Sequence, residues 1–219
     1  IDIPDVKDYD TFSGYVLHHI GRIPSEKEKL SIDGFDITVE EKDGNRIYAV
    51  IKGLGSSSDG KSRSIYSPLA EGQAKALRSA YEDAGFNPAS VGLIEAHGTG
   101  TRVGDKVEFE ALNQVFGEFG ANGHKSALGS VKSMIGHTMP AAGIASLIKS
   151  VLSLSNKCLL PSLHCEDPLE ILQETDFYVN PETRPWIHDP QAFPRRAGVN
   201  AFGFGGINVH VVLEEVGDK

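Results

Sequence analysis

The sequence has few cysteines, no long apolar run and no excess of basic residues. Two cysteines, Cys158 and Cys165, are too few for a disulfide framework and fit a reduced, cytoplasmic setting. Neither has further ligands at zinc-like spacing, so we predict no metal site. Lys149 interrupts the most apolar segment, residues 141–154, which is shorter than the roughly 20 residues that span a bilayer. We therefore predict no membrane span.

Charge and the first residues exclude two further classes. With 21 Lys and Arg against 30 Asp and Glu, the chain is acidic, so we expect no nucleic-acid partner. Residues 1–5 show no basic segment followed by an apolar run, so we expect no secretory signal there. An internal piece of a longer chain begins in the same way.

Strand and helix patterns alternate from Ile47 onward, which predicts an α/β fold with βαβ units. The predicted strands are residues 47–54, 92–96, 126–131, 177–180 and 209–214, and the predicted helices are residues 71–84, 105–116 and 141–154. Gly85 should end the first helix. The third helix is so apolar that we expect it to be buried on most sides. The glycine-rich segment 200–208 is predicted to be a loop.

Residues 1–46 form a separate, small α+β segment in this prediction. Tyr15, Val16, Ile20 and Ile23 have the spacing of a short helix. Residues 34–40 alternate as a half-exposed strand, and Asp43-Gly44 is a hairpin turn. We therefore predict two domains, residues 1–46 and residues 47–219.

Three motifs follow or adjoin predicted strands in the second domain. They are Glu95-Ala-His-Gly-Thr-Gly-Thr101, Val131-Lys-Ser-Met-Ile-Gly-His-Thr138 and Gly198-Val-Asn-Ala-Phe-Gly-Phe-Gly-Gly206. Their order and spacing resemble the β-ketoacyl synthases, in particular the polyketide and polyunsaturated fatty acid synthase branch. The resemblance implies the C-terminal half of a thiolase-like fold.

The resemblance also implies catalytic roles for His97, His137 and Lys132. In the family, two neutral imidazoles that donate through Nε2 stabilise the enolate formed when a malonyl thioester loses carbon dioxide. His97 and His137 match these imidazoles, and Lys132 matches a lysine that sets the electrostatics of the site. A buried lysine needs a partner, so we expect a carboxylate such as Glu95 or Glu108 beside Lys132.

Substrate contacts and partners follow from the same resemblance. Thr99 and Thr101 match threonines that meet the phosphopantetheine arm of an acyl carrier protein. The other substrate-binding candidates are Asn200, Phe202, Phe204 and Gly205, with Phe204 as an aromatic gate beside the acyl pocket. The resemblance implies no covalently bound cofactor, because the substrate arrives on the carrier protein.

The sequence departs from the family at the nucleophile. The family accepts the acyl chain on a cysteine in a motif like Thr-Ala-Cys-Ser-Ser, and neither Cys158 nor Cys165 has that context. We therefore expect a partial enzyme, which depends on a second copy of the chain or on a complementary N-terminal half. Two alternatives stay open: an inactive recombined fragment, and decarboxylation without condensation.

Residues 2–46 resemble part of the transporter-associated domain of hemolysin and magnesium-efflux-related proteins. The segments that carry this resemblance are Asp8-Tyr-Asp-Thr-Phe-Ser-Gly-Tyr15, Gly21-Arg-Ile-Pro24, Ile32-Asp-Gly34 and Asp43-Gly-Asn-Arg46. It leaves open a regulatory module that binds adenine nucleotide. The junction between the two families is expected at Asn45-Arg46-Ile47.

Several polar residues have simpler interpretations. His18, His19, His164 and His188 receive no functional role, because a lone histidine is usually structural or solvated. Asp105 and Glu108 are interpreted as a helix cap and a solvated helix face rather than an acid pair. Residues 203–206 lack the G-x-x-x-x-G-K-[ST] pattern of a phosphate loop.

Overall fold

A computed structural model describes residues 16, 19–22, 24–25, 27–32, 34–39, 47–60, 67–119, 125–168, 170, 172, 175–189 and 191–216. The chain divides into two compact units, Ile1–Arg46 and Ile47–Lys219. Among the described residues, no helix is long and apolar enough to cross a membrane.

The first unit contains an antiparallel hairpin. Strand β1 (Lys29–Ile32) pairs with β2 (Phe35–Thr38), and Gly34 lies between them with a φ of 80°. Strand β2 lies within the predicted strand 34–40, but its partner β1 was not predicted. Val16 and Ile20 have helical backbone, whereas Tyr15, Ile23 and the predicted turn at Asp43-Gly44 lie outside the described residues.

The second unit is built on a mixed sheet of six strands. These strands are β3 (Val50–Ser58), β4 (Leu93–Glu95), β5 (Ser126–Gly129), β7 (Phe177–Val179), β9 (Arg196–Gly203) and β10 (Ile207–Glu214). Their order across the sheet is β3-β10-β9-β4-β5-β7. Strand β4 runs parallel to β5 and β9, and β5 runs parallel to β7. Strands β3, β10 and β9 are antiparallel neighbours. A separate two-stranded pair joins β6 (Cys158–Leu159) to β8 (Arg184–Pro185).

Among the described residues, four α-helices accompany this sheet: α1 (Ala70–Ala84), α2 (Arg102–Glu118), α3 (Lys132–Ile135) and α4 (Ala142–Ser155). Gly85 ends α1 as predicted, with a φ of 72° and an N–H that donates to Tyr81 O at 3.0 Å. Neighbouring residues of β4 face opposite sides of the sheet. Ile94 packs in one buried cluster with Leu77 and Phe109, and Leu93 packs in the other with Trp186.

Helix α4 corrects a prediction, because it is not buried on most sides. Ile144, Ile148 and Leu152 are 54%, 53% and 45% exposed, and they recur every four residues along one face. The buried positions of the helix include Lys149 and Ser150 instead. The apolar composition predicted that the helix is buried, but it could not show which face of the helix packs against the rest of this chain.

The predicted loop 200–208 is also corrected. Residues 200–203 belong to β9 and residues 207–208 to β10, so only 204–206 form the turn between them. Gly205 and Gly206 have φ values of 92° and 74°. Glycines dominated the pattern, but here two of them supply the left-handed backbone of a tight hairpin while the flanking residues continue the strands.

Candidate active site at the ends of two parallel strands

The two histidines of the sequence motifs lie just beyond the carboxyl ends of neighbouring parallel strands. His97 follows β4 and His137 follows β5 by way of α3, and Glu95 is in register with Gly129 across the two strands. The imidazole centroids are 5.6 Å apart and the ring planes are nearly perpendicular. A Cβ at Gly98 would lie 2.8 Å from Ser130 Cβ, so glycine is needed where the two loops approach each other.

Hydrogen bonds at Nδ1 fix the tautomer of both histidines. Met139 N–H donates to His137 Nδ1 at 3.0 Å, and Lys132 Nζ lies 3.4 Å from His97 Nδ1. An ammonium group can only donate, so Nδ1 of His97 is an acceptor. Each neutral ring therefore carries its proton on Nε2 and can donate from there.

Met139 reaches His137 through an unusual backbone conformation that the sequence did not reveal. Its φ is 55°, in the left-handed region that is costly for a residue with a Cβ. The hydrogen bond from its N–H to His137 is made from this conformation. Met139 thus belongs to the site through its main chain.

Burial and positive charge keep His97 neutral. Burial lowers the pKa of His97 to about 4, followed by the charge of Lys132 and by a smaller effect of the neighbouring His137 ring. Burial also lowers the pKa of Lys132, while Glu108, Glu95 and Asp105 raise it in that order. Both carboxylates expected beside Lys132 therefore act on it, although the direct partner of Glu95 is Lys149, at 2.7 Å.

Glu108 is buried rather than solvated, which corrects its interpretation as an exposed helix residue. It is 5% exposed and accepts His97 N–H at 2.7 Å and Gly98 N–H at 2.9 Å, one on each carboxylate oxygen. Asn200 Nδ2 donates to the same carboxylate at 2.8 Å. Burial raises the pKa of Glu108, and these three N–H donors oppose that rise. The carboxylate thus holds the backbone of the loop that carries His97.

The threonines and Asp105 organise the glycine-rich turn before α2. Thr101 caps the helix by accepting Gly104 N–H at 3.2 Å, and the hydroxyls of Thr99 and Thr101 are 3.1 Å apart. Asp105 lies inside α2 and accepts Gly100 N–H at 3.2 Å, so its interpretation as the helix cap is corrected: Thr101 holds that position. The turn therefore has its own hydrogen bonds without a ligand.

The four candidates of the third motif divide between the interior and the surface. The Phe202 ring lies 5.9 Å from the His97 ring. Phe204 is 82% exposed and, with Gly205, forms the hairpin turn. Asn200 is fully buried, and its side chain bonds Glu108 at one end and His210 at the other. A substrate cannot reach Asn200, so its candidate role as a substrate contact is corrected to one of positioning.

A cavity of about 490 Å³ adjoins the site. Thr99, Lys132 and His137 line its polar part, and Phe109 and Leu112 line its apolar part. The cavity combines hydrogen-bond donors with an apolar wall, as small-molecule sites do.

Cys165 and His164 also line this cavity, although no functional role was predicted for either. Burial, followed by Glu166 and Asp105, raises the pKa of the Cys165 thiol. A thiol with a raised pKa is a poor nucleophile, because the thiolate is the reactive form. A place in the cavity alone therefore does not make Cys165 a nucleophile.

Two buried polar residues near the site lie outside the three motifs and were not predicted. Lys149 pairs with Glu95, and His210 Nδ1 lies 2.6 Å from Asn200 Oδ1. Both gave a signal, since Lys149 interrupts an apolar helix and His210 occupies an inward position of an alternating strand. A charged or polar residue at such a position needs a buried partner.

Comparison with known families gives two matches. The family described as "Beta-ketoacyl synthase, C-terminal domain" matches residues 48–166. The family described as "Transporter associated domain" matches residues 1–51, so the two matches overlap at residues 48–51.

Individual relatives agree with the first match. A polyunsaturated fatty acid synthase polypeptide of Thraustochytrium sp. is 46% identical over 181 residues, which cover 80% of this chain and 6% of that protein. Polyketide synthase PksN of Bacillus subtilis is 42% identical over 192 residues, which cover 82% of this chain and 4% of that protein. The chain thus spans a small fraction of these relatives.

Solved structures of similar sequence share the fold. The ketosynthase from module 6 of the bacillaene synthase of Bacillus subtilis 168 is 42% identical with a TM-score of 0.74, over 79% of this chain and 31% of that one. An oxazolomycin ketosynthase domain of Streptomyces albus is 39% identical with a TM-score of 0.76, over 81% of this chain and 32% of that one. The predicted thiolase-like α/β fold is confirmed by these neighbours.

Proposed function

The chain belongs to the β-ketoacyl synthase family, whose C-terminal domain spans residues 48–166, and we propose that it supplies the histidine-bearing half of a decarboxylating condensation site. The pairing of His97 with His137 carries the proposal. The two rings are 5.6 Å apart, and each has its Nδ1 occupied as an acceptor. Two neutral Nε2–H donors are thereby available for one developing negative charge.

The chemistry these donors suit is loss of carbon dioxide from a malonyl thioester. The bond between the carboxylate carbon and C2 breaks, and its electron pair forms an enolate whose negative charge lies on the thioester oxygen. His97 and His137 stabilise that oxygen by hydrogen bonds that strengthen as the charge develops. Lys132 acts on His97, because its charge keeps the imidazole neutral and its Nζ occupies Nδ1.

The substrate would arrive as a thioester on the phosphopantetheine arm of an acyl carrier protein. Thr99 lines the cavity beside Lys132 and His137, which supports a role in meeting that arm. Thr101 orients Thr99 through the 3.1 Å contact between their hydroxyls. Phe202 forms a wall against His97, and Phe204 with Gly205 is proposed to act as the gate from the exposed hairpin turn.

The acyl acceptor is not among these residues. Cys158 and Cys165 both lack the family's nucleophile motif, and the pKa of Cys165 is raised. Condensation would therefore require a cysteine from a complementary N-terminal half. Decarboxylation needs no such residue, because the enolate can take a proton from water at C2 and leave as an acetyl thioester.

The test measures carbon dioxide release from malonyl-acyl carrier protein. We expect the chain to release carbon dioxide and acetyl-carrier protein, and His137→Ala or His97→Ala to slow release on the order of 10²- to 10³-fold, as for loss of one oxyanion donor. His19→Ala is the matched control, because His19 is an exposed histidine of the first unit. Release that is absent, or equal in all four proteins, identifies an inactive fragment.

A second function is favoured by the match of residues 1–51 to the transporter associated domain. In that case the first unit would bind a regulatory ligand such as an adenine nucleotide. Calorimetric titration with ATP and AMP tests this: saturable binding that residues 47–219 alone do not show would support a regulatory module, and no heat of binding would contradict it.

A further inference from the structure

Glu95 makes contacts that join the two histidine-bearing loops. It is the last residue of β4, two residues before His97, and it is fully buried. One carboxylate oxygen accepts the backbone N–H of Val131, and the other accepts Lys149 Nζ at 2.7 Å. A single side chain therefore connects the end of β4 with the start of α3 and with α4.

The bond to Val131 lies next to the residue that faces His97. Val131 is the N-cap of α3, and Lys132, the first residue of that helix, places Nζ 3.4 Å from His97 Nδ1. Two other described bonds cross between the loops, from Ala96 N–H to Gly129 O and from the Ser130 hydroxyl to Gly98 O. Of these described bonds between the loops, only the one from Val131 to Glu95 involves the backbone at the N-cap of α3.

Stability alone is a poor explanation for this ion pair. Lys149 is 6% exposed and Glu95 is fully buried, so both charges have lost most of their hydration. A buried pair of this kind is commonly no more stable than well-packed apolar residues in the same place. A buried ion pair is instead suited to fixing the local geometry, because each donor and acceptor in it must meet a defined partner.

We propose that Glu95 and Lys149 are positioning residues of the histidine site, in which their ion pair fixes Val131 and so holds Lys132 against His97. The inference rests on the proposed function of that site. Lys149 orients the carboxylate from the buried face of α4, and Glu95 passes that constraint to the backbone of α3. Neither residue touches the histidines.

The pKa of His97, followed by NMR titration of its imidazole, reports on this geometry. Lys132 is one of the groups that lower this pKa, whereas neither Glu95 nor Lys149 is among the causes. The double variant Glu95→Leu/Lys149→Met removes both charges together, leaves no unpaired one and removes the oxygen that accepts the Val131 N–H. We expect the pKa of His97 to rise above about 4, because Lys132 is no longer held beside it, while burial, the larger cause, still keeps it below its ordinary value.

Two further variants distinguish a positioning role from a general disturbance of the structure. Lys132→Met should produce a similar rise, and combining it with the double variant should add little, since both act through one contact. Leu154→Ala removes a buried side chain of the same helix, 1% exposed, and should leave the pKa of His97 unchanged. A folded double variant with an unchanged pKa of His97, or an equal rise in Leu154→Ala, overturns the proposal.

If the double variant does not fold, a more conservative substitution provides the test. Glu95→Asp keeps both charges and withdraws the carboxylate from Val131 by one methylene, so the pKa of His97 should again rise. A folded Glu95→Asp protein with an unchanged pKa contradicts the proposal. The readout does not depend on carbon dioxide release, so a rise in pKa without that activity would refute the proposed function and leave the positioning role intact.

Discussion

At the scale of residues, a buried chain of hydrogen bonds runs from His210 to the loop of His97. Asn200 Nδ2 donates to Glu108, so Asn200 Oδ1 must accept, and His210 Nδ1 must carry the proton of their 2.6 Å bond. His210 is thus the opposite tautomer from His97 and His137. Its role is to orient Asn200, which in turn orients the carboxylate that holds the His97 loop.

The burial of His210 makes the stability of the folded protein depend on pH. This histidine is fully buried, and burial lowers its pKa from 6.5 to about 3. In the unfolded chain it takes up a proton near pH 6.5, whereas the folded protein leaves it neutral, so its stabilising contribution is complete above that pH and is lost on acidification. Between pH 7 and pH 5 we expect the free energy of unfolding to fall by about 1 to 2 kcal/mol from this residue.

Urea unfolding at pH 7 and at pH 5 measures this loss. His210→Gln keeps an N–H for Asn200 and removes the titrating group, so its stability should fall less than that of the wild-type protein over the same interval. Equal falls in the two proteins would mean that His210 is not protonated more readily in the unfolded chain, and would refute this account of its burial.

Motifs predicted the residues of the site better than their partners. His97, His137 and Lys132 stand in motifs that resemble a known family, and the structure brings all three together. The third motif also predicted a substrate contact for Asn200, because a motif does not show that both the amide nitrogen and the amide oxygen of the side chain already have hydrogen-bond partners. Glu108 was missed as a buried residue because its position on α2 is compatible with solvent in sequence alone.

At the scale of elements, the close approach of α1 to the edge strand β3 depends on two glycines. A Cβ at Gly53 would collide with the Ala80 carbonyl oxygen, and one at Gly55 would collide with that of Ala76. Small residues on the helix, including Ala76 and Ala80, complete the contact. The strand and helix therefore pack backbone to backbone, and no other residue fits at either glycine.

Gly55→Ala should destabilise the protein by about 2 to 3 kcal/mol, because its methyl group has no space beside the Ala76 carbonyl. Gly117→Ala is the matched control, since that glycine lies in α2 with open space around it. There we expect a gain of about 0.5 to 1 kcal/mol from better helix propensity. Denaturant midpoints compare the two variants, and similar effects of both would contradict backbone contact at Gly55.

Helices were predicted from sequence more closely than strands. Periodicity located α1, α2 and α4 to within a few residues, because each shows an apolar spacing that only a helix gives. Strand β3 begins at Val50 and continues to Ser58, beyond the predicted residues 47–54, because its last residues are serine and glycine. These residues continue the strand because they form backbone hydrogen bonds with the partner strand β10, which residue composition does not reveal.

At the scale of the whole molecule, α4 presents an apolar face that the described part of the chain leaves exposed. The face is formed by Ile144, Ile148 and Leu152. Its helix has a buried opposite side, so covering this face would place α4 between two layers. We expect the complementary N-terminal half, or a second copy in its absence, to cover it.

Ile148→Asp should therefore reduce self-association of the purified chain by at least about tenfold in dissociation constant, because it places a charge in the centre of the contact. Ile187→Asp is the control, since Ile187 is 86% exposed elsewhere in the second unit. Sedimentation equilibrium measures both. A wild-type chain that stays monomeric without binding hydrophobic dye contradicts the prediction.

Two neutral histidines that present Nε2–H donors to one developing charge are the core of this site. Nitrogen-15 NMR of the imidazoles tests this arrangement directly, at about pH 8 where ordinary histidines are neutral. We predict that His97 and His137 both carry the proton on Nε2, with Nδ1 in the chemical-shift range of an acceptor. A proton on Nδ1 of either ring would contradict the account.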